Sequence, residues 1–357
     1  MMRVRHATAV PITFRLVEGY RIAGHSYTSA DNIILKVTTS DGRTGFGCAA
    51  PAEEVTRESA AVCRGALDDV LIPLIREIDV GDTAAVAARA RALAPHAPAA
   101  RAAVDMALLD LQARRAGVPL ARILGICRGR LLTSVTLGIA DPAETLDRAR
   151  RWLGQGFHVL KIKVGEDWEA DARLVRALRK ACGPEVLLRA DANQGYSPDT
   201  ALRFLAAVED ARIELLEQPT PAGDLGGLAR VTRGSKIPIM ADESVLDADG
   251  ARRLAECGAA PLVNIKLMKT GGIHDALALG RTVAAAGLRA MIGCMDESRI
   301  GIAAALHFAL ACPPVDRADL DGHLDLADDV AAGGVRIRDG YIFPEFSRPG
   351  LGVTVDL

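Results

Sequence analysis

Cysteine is sparse and scattered in this 357-residue chain. The seven residues Cys48, Cys63, Cys127, Cys182, Cys257, Cys294 and Cys312 are odd in number and include no C-x-x-C pair, which excludes a disulfide framework or zinc ribbon and suits a reducing cytoplasm. Aromatic residues make up only 4%, leaving few platforms on which single-stranded nucleic acid could stack. Neither sign of charge dominates: 43 basic against 45 acidic side chains give a net charge of −2, so there is no broad phosphate-binding surface and nucleic acid is excluded as a partner. The longest apolar run, 300–312, contains His307 and is too short to span a bilayer. The opening MMRVRHATAVPITFRLVEGYRIAG has no unbroken apolar segment of the signal-peptide kind. No G-x-G-x-x-G follows a strand and no G-x-x-x-x-G-K-[ST] occurs, which argues against an open nucleotide-binding sheet. These absences predict a cytoplasmic protein that engages no membrane. What is present is the balance of a globular chain, half hydrophobic and a quarter charged.

The first 50 residues carry strand signals. Residues 32–37 (NIILKV) are β-rich, Ser40-Asp41-Gly42 is a turn, and 44–48 is the return arm. From about Thr56 to Gly117 the composition changes to Ala, Leu and Arg at helical spacing. Within 101–115, Val104, Ala107, Leu108 and Leu111 share one face before Gly117, Val118 and Pro119 stop the helix. After Gly125 short apolar runs recur at 135–139, 158–164, 186–191, 213–217, 237–242, 262–266, 290–294 and 318–321, with helical segments such as 170–181, 198–208, 248–257 and 273–286 between them. Eight strands alternating with helices predict a parallel β/α barrel. The strand- and turn-like tail 335–357 has too little apolar surface to stand alone and is expected to pack back on the N-terminal strands. The expected organisation is an α+β cap over 1–125, a barrel over 126–325 and a returning segment over 326–357.

In a parallel barrel, catalytic groups collect at the C-terminal ends of the strands. The second run ends in Lys161-Ile162-Lys163, the third in Asp191-Ala192-Asn193, the fourth in Glu217-Gln218-Pro219, the fifth in Asp242-Glu243-Ser244 and the sixth in Lys266. Each step is one β/α unit, so neighbouring strands present Asp191, Glu217 and Asp242 at one height. Singly, each acid reads equally well as a solvated strand end or a helix N-cap. Three in register between lysine-bearing strands repel one another unless a cation intervenes, and oxygen ligands without His or Cys select Mg²⁺ or Mn²⁺. Lys161 and Lys163, at i and i+2, point to the same side, and Lys266 is four strands away, across the barrel. Lys269 is a rival to Lys266, although its place before Thr270-Gly271-Gly272 puts it in the loop. A carboxylate substrate bound at the cation then has a lysine on each face of its α-carbon, which suits removal of a proton next to the carboxylate and its return from the other side. Two ammonium groups about 7 Å apart repel by about 2 kcal/mol at an effective dielectric near 20. This predicts a lysine pKa drawn down from about 10.4, with burial and the divalent cation adding to the effect.

Together KIK at 161–163, DAN at 191–193, EQP at 217–219, DES at 242–244 and NIKLMKTGG at 264–272 resemble the enolase superfamily, in its muconate-lactonising-enzyme subgroup, and the resemblance covers nearly the whole chain. It implies an α/β fold, a (β/α)7β modified TIM barrel with an α+β capping domain. It also implies Mg²⁺ (or Mn²⁺) on Asp191, Glu217 and Asp242, with Lys163 and Lys266 as the acid/base pair. The mandelate-racemase subgroup uses a histidine on the seventh strand, and 290–294 has none. Members of the matching subgroup include cycloisomerases, o-succinylbenzoate synthases, N-acyl amino acid racemases and dipeptide epimerases. Asp319-Leu320-Asp321 is similar to the D-x-D by which dipeptide epimerases hold the substrate's α-ammonium, and this implies epimerisation at the C-terminal residue of a dipeptide. Cys294, Met295 and Asp296 fall in a segment similar to one that lines the substrate, where the residue at Asp296 is more often apolar. Alanyl-glutamate epimerases carry an arginine in the N-terminal loop, for which the nearest match is His25. Both departures point to cationic or non-acidic side chains. By resemblance Lys161 and Thr136 are further substrate contacts. Barrels of this type often form homo-oligomers, and no residue here marks an interface.

Overall fold

A long antiparallel hairpin opens the chain. In the computed structural model, which describes residues 2–76 and 78–357, Val4–Ile22 pairs with His25–Thr39, and Thr44–Ala49 adds a third strand. Much of the first strand alternates buried and exposed residues, so it forms no apolar run, and strand signals emerge only from residue 32. The helix Pro98–Ala116 packs on this sheet at unusually short range. A Cβ at Gly47 would lie 1.8 Å from the Ala103 carbonyl oxygen, and one at Gly45 2.5 Å from that of Ala107. Two glycines spaced by two on the strand thus meet two alanines spaced by four on the helix, the periods of the two elements. The helix begins with Pro98, receives the buried Glu58 carboxylate on the N–H groups of Ala99 and Ala100 (2.7 and 3.4 Å), and ends at left-handed Gly117.

The eight barrel strands are Val135–Leu137, Val159–Lys163, Leu187–Asp191, Leu215–Glu217, Ile239–Ala241, Leu262–Ile265, Arg289–Ile292 and Val315–Ala318. They form one parallel sheet in chain order. The two ends of that sheet meet where Thr133 bridges Ala318 and the Ser134 N–H donates to the Ala318 carbonyl at 3.2 Å. Outside lie Pro142–Gly154, Trp168–Cys182, Pro198–Ala207, Leu225–Gly234, Ala248–Glu256, Ile273–Ala285 and Arg299–Ala311. Six of these start at a side-chain cap: Asp141, Asp167, Ser197, Asp224, Asp247 and Ser298 each accept a first-turn N–H. The eighth strand is followed only by a short 3₁₀ turn, Gly322–Leu324, which gives the (β/α)7β form. No helix among the described residues is long and apolar enough to cross a membrane.

Two expectations are corrected here. The eighth strand is Val315–Ala318 rather than 318–321, because half-buried Asp316 and Arg317 interrupt its apolar pattern; Asp319 and Asp321 lie just past its end. The tail does not add to the N-terminal sheet. Ala331–Gly333 pairs with Val353–Val355, and Val335–Arg338 and Tyr341–Pro344 pair with each other and with Leu131–Leu132. It joins the cap through the helix Pro98–Ala116, where buried Asp110 accepts the Leu351 N–H at 2.8 Å and Arg114 donates to the Val353 carbonyl at 3.1 Å, and through a single bridge of Leu326 to Leu16 on the first strand.

Candidate active site

The strand register sets the site. Lys163 stands opposite Asp191, and Asp191 opposite Glu217. Glu217 pairs with Met240, so Asp242, two residues further on, emerges on the same side just past its strand. Lys266 directly follows the strand Leu262–Ile265. A cavity of about 680 Å³ lies over these strand ends and beneath the N-terminal hairpin, with Lys163 and Lys266 both in its lining. They arise from the second and sixth of eight strands, hence from opposite walls. Its size is in the range of small-molecule sites.

Asp191, Glu217 and Asp242 are each 0% exposed, and each is tied through one oxygen. Asp191 Oδ1 accepts the Asn193 N–H (3.0 Å), Glu217 Oε1 accepts from Asn264 Nδ2 (2.6 Å), and Asp242 Oδ1 accepts from Lys269 Nζ. The second oxygens face lysines. Lys161 Nζ lies 3.0 Å from Asp191 Oδ2, 2.9 Å from Glu217 Oε2 and 2.8 Å from Asp319 Oδ2. Lys163 Nζ donates to Asp191 Oδ2 at 2.8 Å and to Asn193 Oδ1 at 2.9 Å, and Lys266 Nζ lies 2.9 Å from Asp242 Oδ2.

Among the described residues no three His, Cys, Asp or Glu side chains are gathered closely enough to hold a metal ion as they stand, because lysines occupy the space between the acids. The donor chemistry nevertheless fits a hard divalent cation. Glu217 Oε2 and Asp242 Oδ2 are buried and accept no hydrogen bond, although an ammonium lies 2.9 Å from each. Two desolvated carboxylate oxygens are held by charge alone and aimed away from their anchors, as ligand oxygens with a supporting outer shell are.

Lys161 and Lys266 do not behave as mutual repulsion of the ammonium groups predicts. Burial lowers the Lys161 pKa, but Asp191, Asp319 and Glu217 outweigh it and hold the group well above the usual lysine range. Burial likewise acts against Lys266, and Asp242 more than reverses it. The paired carboxylates decide the sign; a divalent cation on those same oxygens would take the partners away. Burial pushes Asp191 up, yet Lys161 and Lys163 bring it to about 2, whereas burial and the neighbouring Asp191 leave Glu217 at about 7. Burial also opposes the charge on Asp242, and Lys266 and Lys269 keep it well below the carboxylate range.

The remaining candidates divide between cavity and surface. Asp319 accepts from Ser134 Oγ (2.6 Å) as well as Lys161. Asp321 accepts the Thr136 N–H at 2.6 Å, and burial with neighbouring Asp319 raises it to about 7. Thr136, Cys294 and Asp296 line the cavity; Asp296 accepts from Tyr20 Oη at 2.7 Å and is raised by burial. His25 does not line it: the residue is exposed at the hairpin tip with its ring 6.4 Å from that of Tyr27. The hairpin instead offers Tyr20 and Tyr27, directly paired across its two strands, and Tyr27 donates to Glu54. These tyrosines, Glu54 and Asn264 are the residues that sequence reasoning missed, and Lys269, read there as a rival to Lys266, is instead a buried anchor of Asp242. The two tyrosines flanking Gly24, out of four in the chain, were the available signal.

Residues 6–125 match the mandelate racemase / muconate lactonizing enzyme N-terminal domain, and residues 144–357 match the enolase C-terminal domain-like family. The L-Lys-D/L-Arg epimerase of Methylococcus capsulatus is 43% identical over 96% of both chains, and the L-Ala-D/L-Glu epimerase of Clostridium acetobutylicum 38% identical over 95% of both. A crystal structure of the dipeptide epimerase from Methylococcus capsulatus, complexed with Mg and the dipeptide L-Arg-D-Lys, superposes with a TM-score of 0.94 at 42% identity, covering 99% of this chain and 100% of that one. A substrate-liganded complex of the L-Ala-D/L-Glu epimerase from Bacillus subtilis gives a TM-score of 0.96 at 36% identity with both chains fully covered. With both domain families matched across most of its length, the chain belongs to the mandelate racemase / muconate lactonizing enzyme family of the enolase superfamily.

Proposed function

We propose that this chain is a Mg²⁺-dependent dipeptide epimerase, an isomerase that inverts the α-carbon of the C-terminal residue by proton transfer between Lys163 and Lys266. The observation that carries the proposal is the pair of lysines on opposite walls of one cavity, each in contact with an acid of the Asp191, Glu217 and Asp242 set. Relatives named as dipeptide epimerases, and one solved with Mg and a dipeptide, support it.

Asp191, Glu217 and Asp242 hold the cation, which when bound stabilises the added negative charge on the substrate carboxylate as the α-proton leaves. Lys163 takes the proton on one face and Lys266 delivers one on the other, or the reverse for the opposite epimer. Asn193 Oδ1 and Asp191 Oδ2 fix the direction in which Lys163 Nζ reaches the cavity. Lys161 neutralises the buried acids and lies beside the carboxylate. Asp319 and Asp321 face the same cavity and hold the α-ammonium of the dipeptide. The hairpin with Tyr20 and Tyr27 covers the lysines and keeps water from the exposed carbanion.

Asp296, half-buried in the cavity lining with its carboxylate accepting from the Tyr20 phenol, disfavours acidic side chains. The preferred substrates are dipeptides with cationic or otherwise non-acidic side chains. A dipeptide panel incubated in D₂O and read by mass spectrometry tests both claims. Deuterium enters the C-terminal α-position of Lys- and Arg-containing dipeptides, and turnover of Ala-Glu far above them overturns the specificity. Absence of exchange across the whole panel overturns the activity.

A further inference from the structure

We propose that Lys269 is a positioning residue that sets how tightly the site holds its divalent cation, by fixing Asp242 with one oxygen turned toward the site; the inference rests on Asp242 being a cation ligand, as argued above. Lys269 is absent from the cavity lining and its side chain is 0% exposed. Its Nζ donates to Asp242 Oδ1, to the carbonyls of Asp242 (2.7 Å) and Asn264 (3.0 Å), and to that of Val245 (3.3 Å). All four partners are acceptors. An ammonium offers three protons and no lone pair, so this amine is fully engaged as a donor and cannot act as a base toward substrate without abandoning buried carbonyls. That removes Lys269 as a rival to Lys266 and leaves it a different task.

The four contacts tie the loop after the fifth barrel strand, from Asp242 to Val245, to Asn264 on the sixth. Lys269 is itself fixed from the cap. Arg101 Nη2 donates to the Thr270 carbonyl at 3.3 Å, and the His274 N–H donates to Asp105 Oδ2 at 3.0 Å. Gly271 and Gly272 run at φ of 97° and 116°, and a Cβ on them would come within 2.4 Å of Arg101 and 2.6 Å of Asp105 side-chain atoms. The segment therefore seats directly on the helix Pro98–Ala116. Lys269 does for Asp242 what Asn264 does for Glu217 and the Asn193 amide for Asp191: it claims one oxygen and leaves the other turned toward the site lysines. Without it, Asp242 can rotate either oxygen onto Lys266, and the ligand set loses its third fixed member.

The test is titration of metal-free wild type, Asp242→Asn and Lys269→Met with MgCl₂ by calorimetry, alongside the Mg²⁺ dependence of turnover. Wild type binds Mg²⁺ and Asp242→Asn loses that binding. Lys269→Met binds about tenfold or more weakly, as expected when an outer-shell partner is removed. A Lys269→Met Kd for Mg²⁺ within about twofold of wild type overturns the inference. If Lys269→Met fails to fold, Lys269→Leu, which likewise lacks a donor for Asp242, is measured against the same limits. Failure of the unaltered protein to bind Mg²⁺ overturns instead the ligand assignment on which the inference stands.

Discussion

Replacing Lys266 by methionine separates proton transfer on one face of the α-carbon from the rest of the site's work. The side chain is 9% exposed, with Nζ 2.9 Å from Asp242 Oδ2, and methionine keeps most of its volume without the amine. Asp242 retains Lys269 on its other oxygen. The stability loss in metal-free protein is therefore at most that of a buried ion pair broken at one end, about 3–5 kcal/mol. The chemical loss is separate: a positioned acid or base is worth about 10²–10⁴ in rate, or about 3–5 kcal/mol of barrier, and inversion requires both amines. Lys163, still hydrogen-bonded to Asp191 and Asn193, continues to remove and return the proton on its own face. In D₂O with Mg²⁺, followed by proton NMR from each pure epimer, Lys266→Met exchanges the α-proton of one epimer without inverting it, and Lys163→Met exchanges that of the other. A single variant that exchanges both epimers refutes the opposed-lysine reasoning, and so do two variants that exchange the same one.

Asp319→Asn and Asp321→Asn lower kcat/KM for a free dipeptide by about 10- to 100-fold, through loss of a charge-assisted contact to the α-ammonium; equal losses on the N-acetylated dipeptide would contradict that role. His307 is buried with Nδ1 accepting the Ala121 N–H, and burial lowers its pKa to about 4 despite an opposing hydrogen bond to Leu351. Between about pH 6.5 and 4 the unfolded chain binds a proton that the folded chain refuses, so stability falls as pH falls, by about 3 kcal/mol in total. Urea unfolding of wild type and His307→Asn across that range checks this, and identical acid slopes would exclude it. Asp110→Ala strands the N–H groups of Phe46 and Leu351 and the Arg114 guanidinium, costing about 3 kcal/mol in the same assay; a loss under about 1 kcal/mol would show that the tail is held elsewhere.

The β/α alternation was legible because most barrel strands are buried on both faces and read as apolar runs that end in a charged residue. Where burial is one-sided the signal fails. Val4–Ile22 hides behind its alternation and its Pro11, and the eighth strand shifts by three residues because Asp316 and Arg317, paired with Arg289 and Glu214, break its apolar run. The lysines and acids were legible from spacing alone, since one β/α unit separates each pair. Their protonation was not. Spacing showed Lys161 near Lys163, but the carboxylates of Asp191, Glu217 and Asp319, from three other strands, converge on the same amine and reverse the expected shift. At the hairpin, sequence offers several polar residues around Gly24 and cannot say which face inward; the pairing of Tyr20 with Tyr27 turns them toward the cavity and leaves His25 outside.

The charge pattern explains why a cation and a carboxylate substrate belong together here. Asp191, Glu217, Asp242 and Asp319 are matched by Lys161, Lys163, Lys266 and Lys269, so without a metal the cluster is close to neutral and each lysine has a carboxylate partner. For Lys161 and Lys266 the carboxylates outweigh burial and hold the pKa up, which makes a poor base. A divalent cation held by these acids would raise the cluster by two charges, and in buried surroundings an excess of that size would favour the neutral form of a lysine. One excess charge then remains, which a substrate carboxylate neutralises. When that lysine takes the α-proton it regains its charge as the substrate acquires a second negative one, so the balance is the same before and after transfer. An arrangement that stays neutral along the reaction needs little reorganisation of the surrounding dipoles, the condition under which preorganised electrostatics stabilise a transition state most. The buried lysine-for-acid pairing is, on this account, what makes base strength conditional on both cation and substrate being in place.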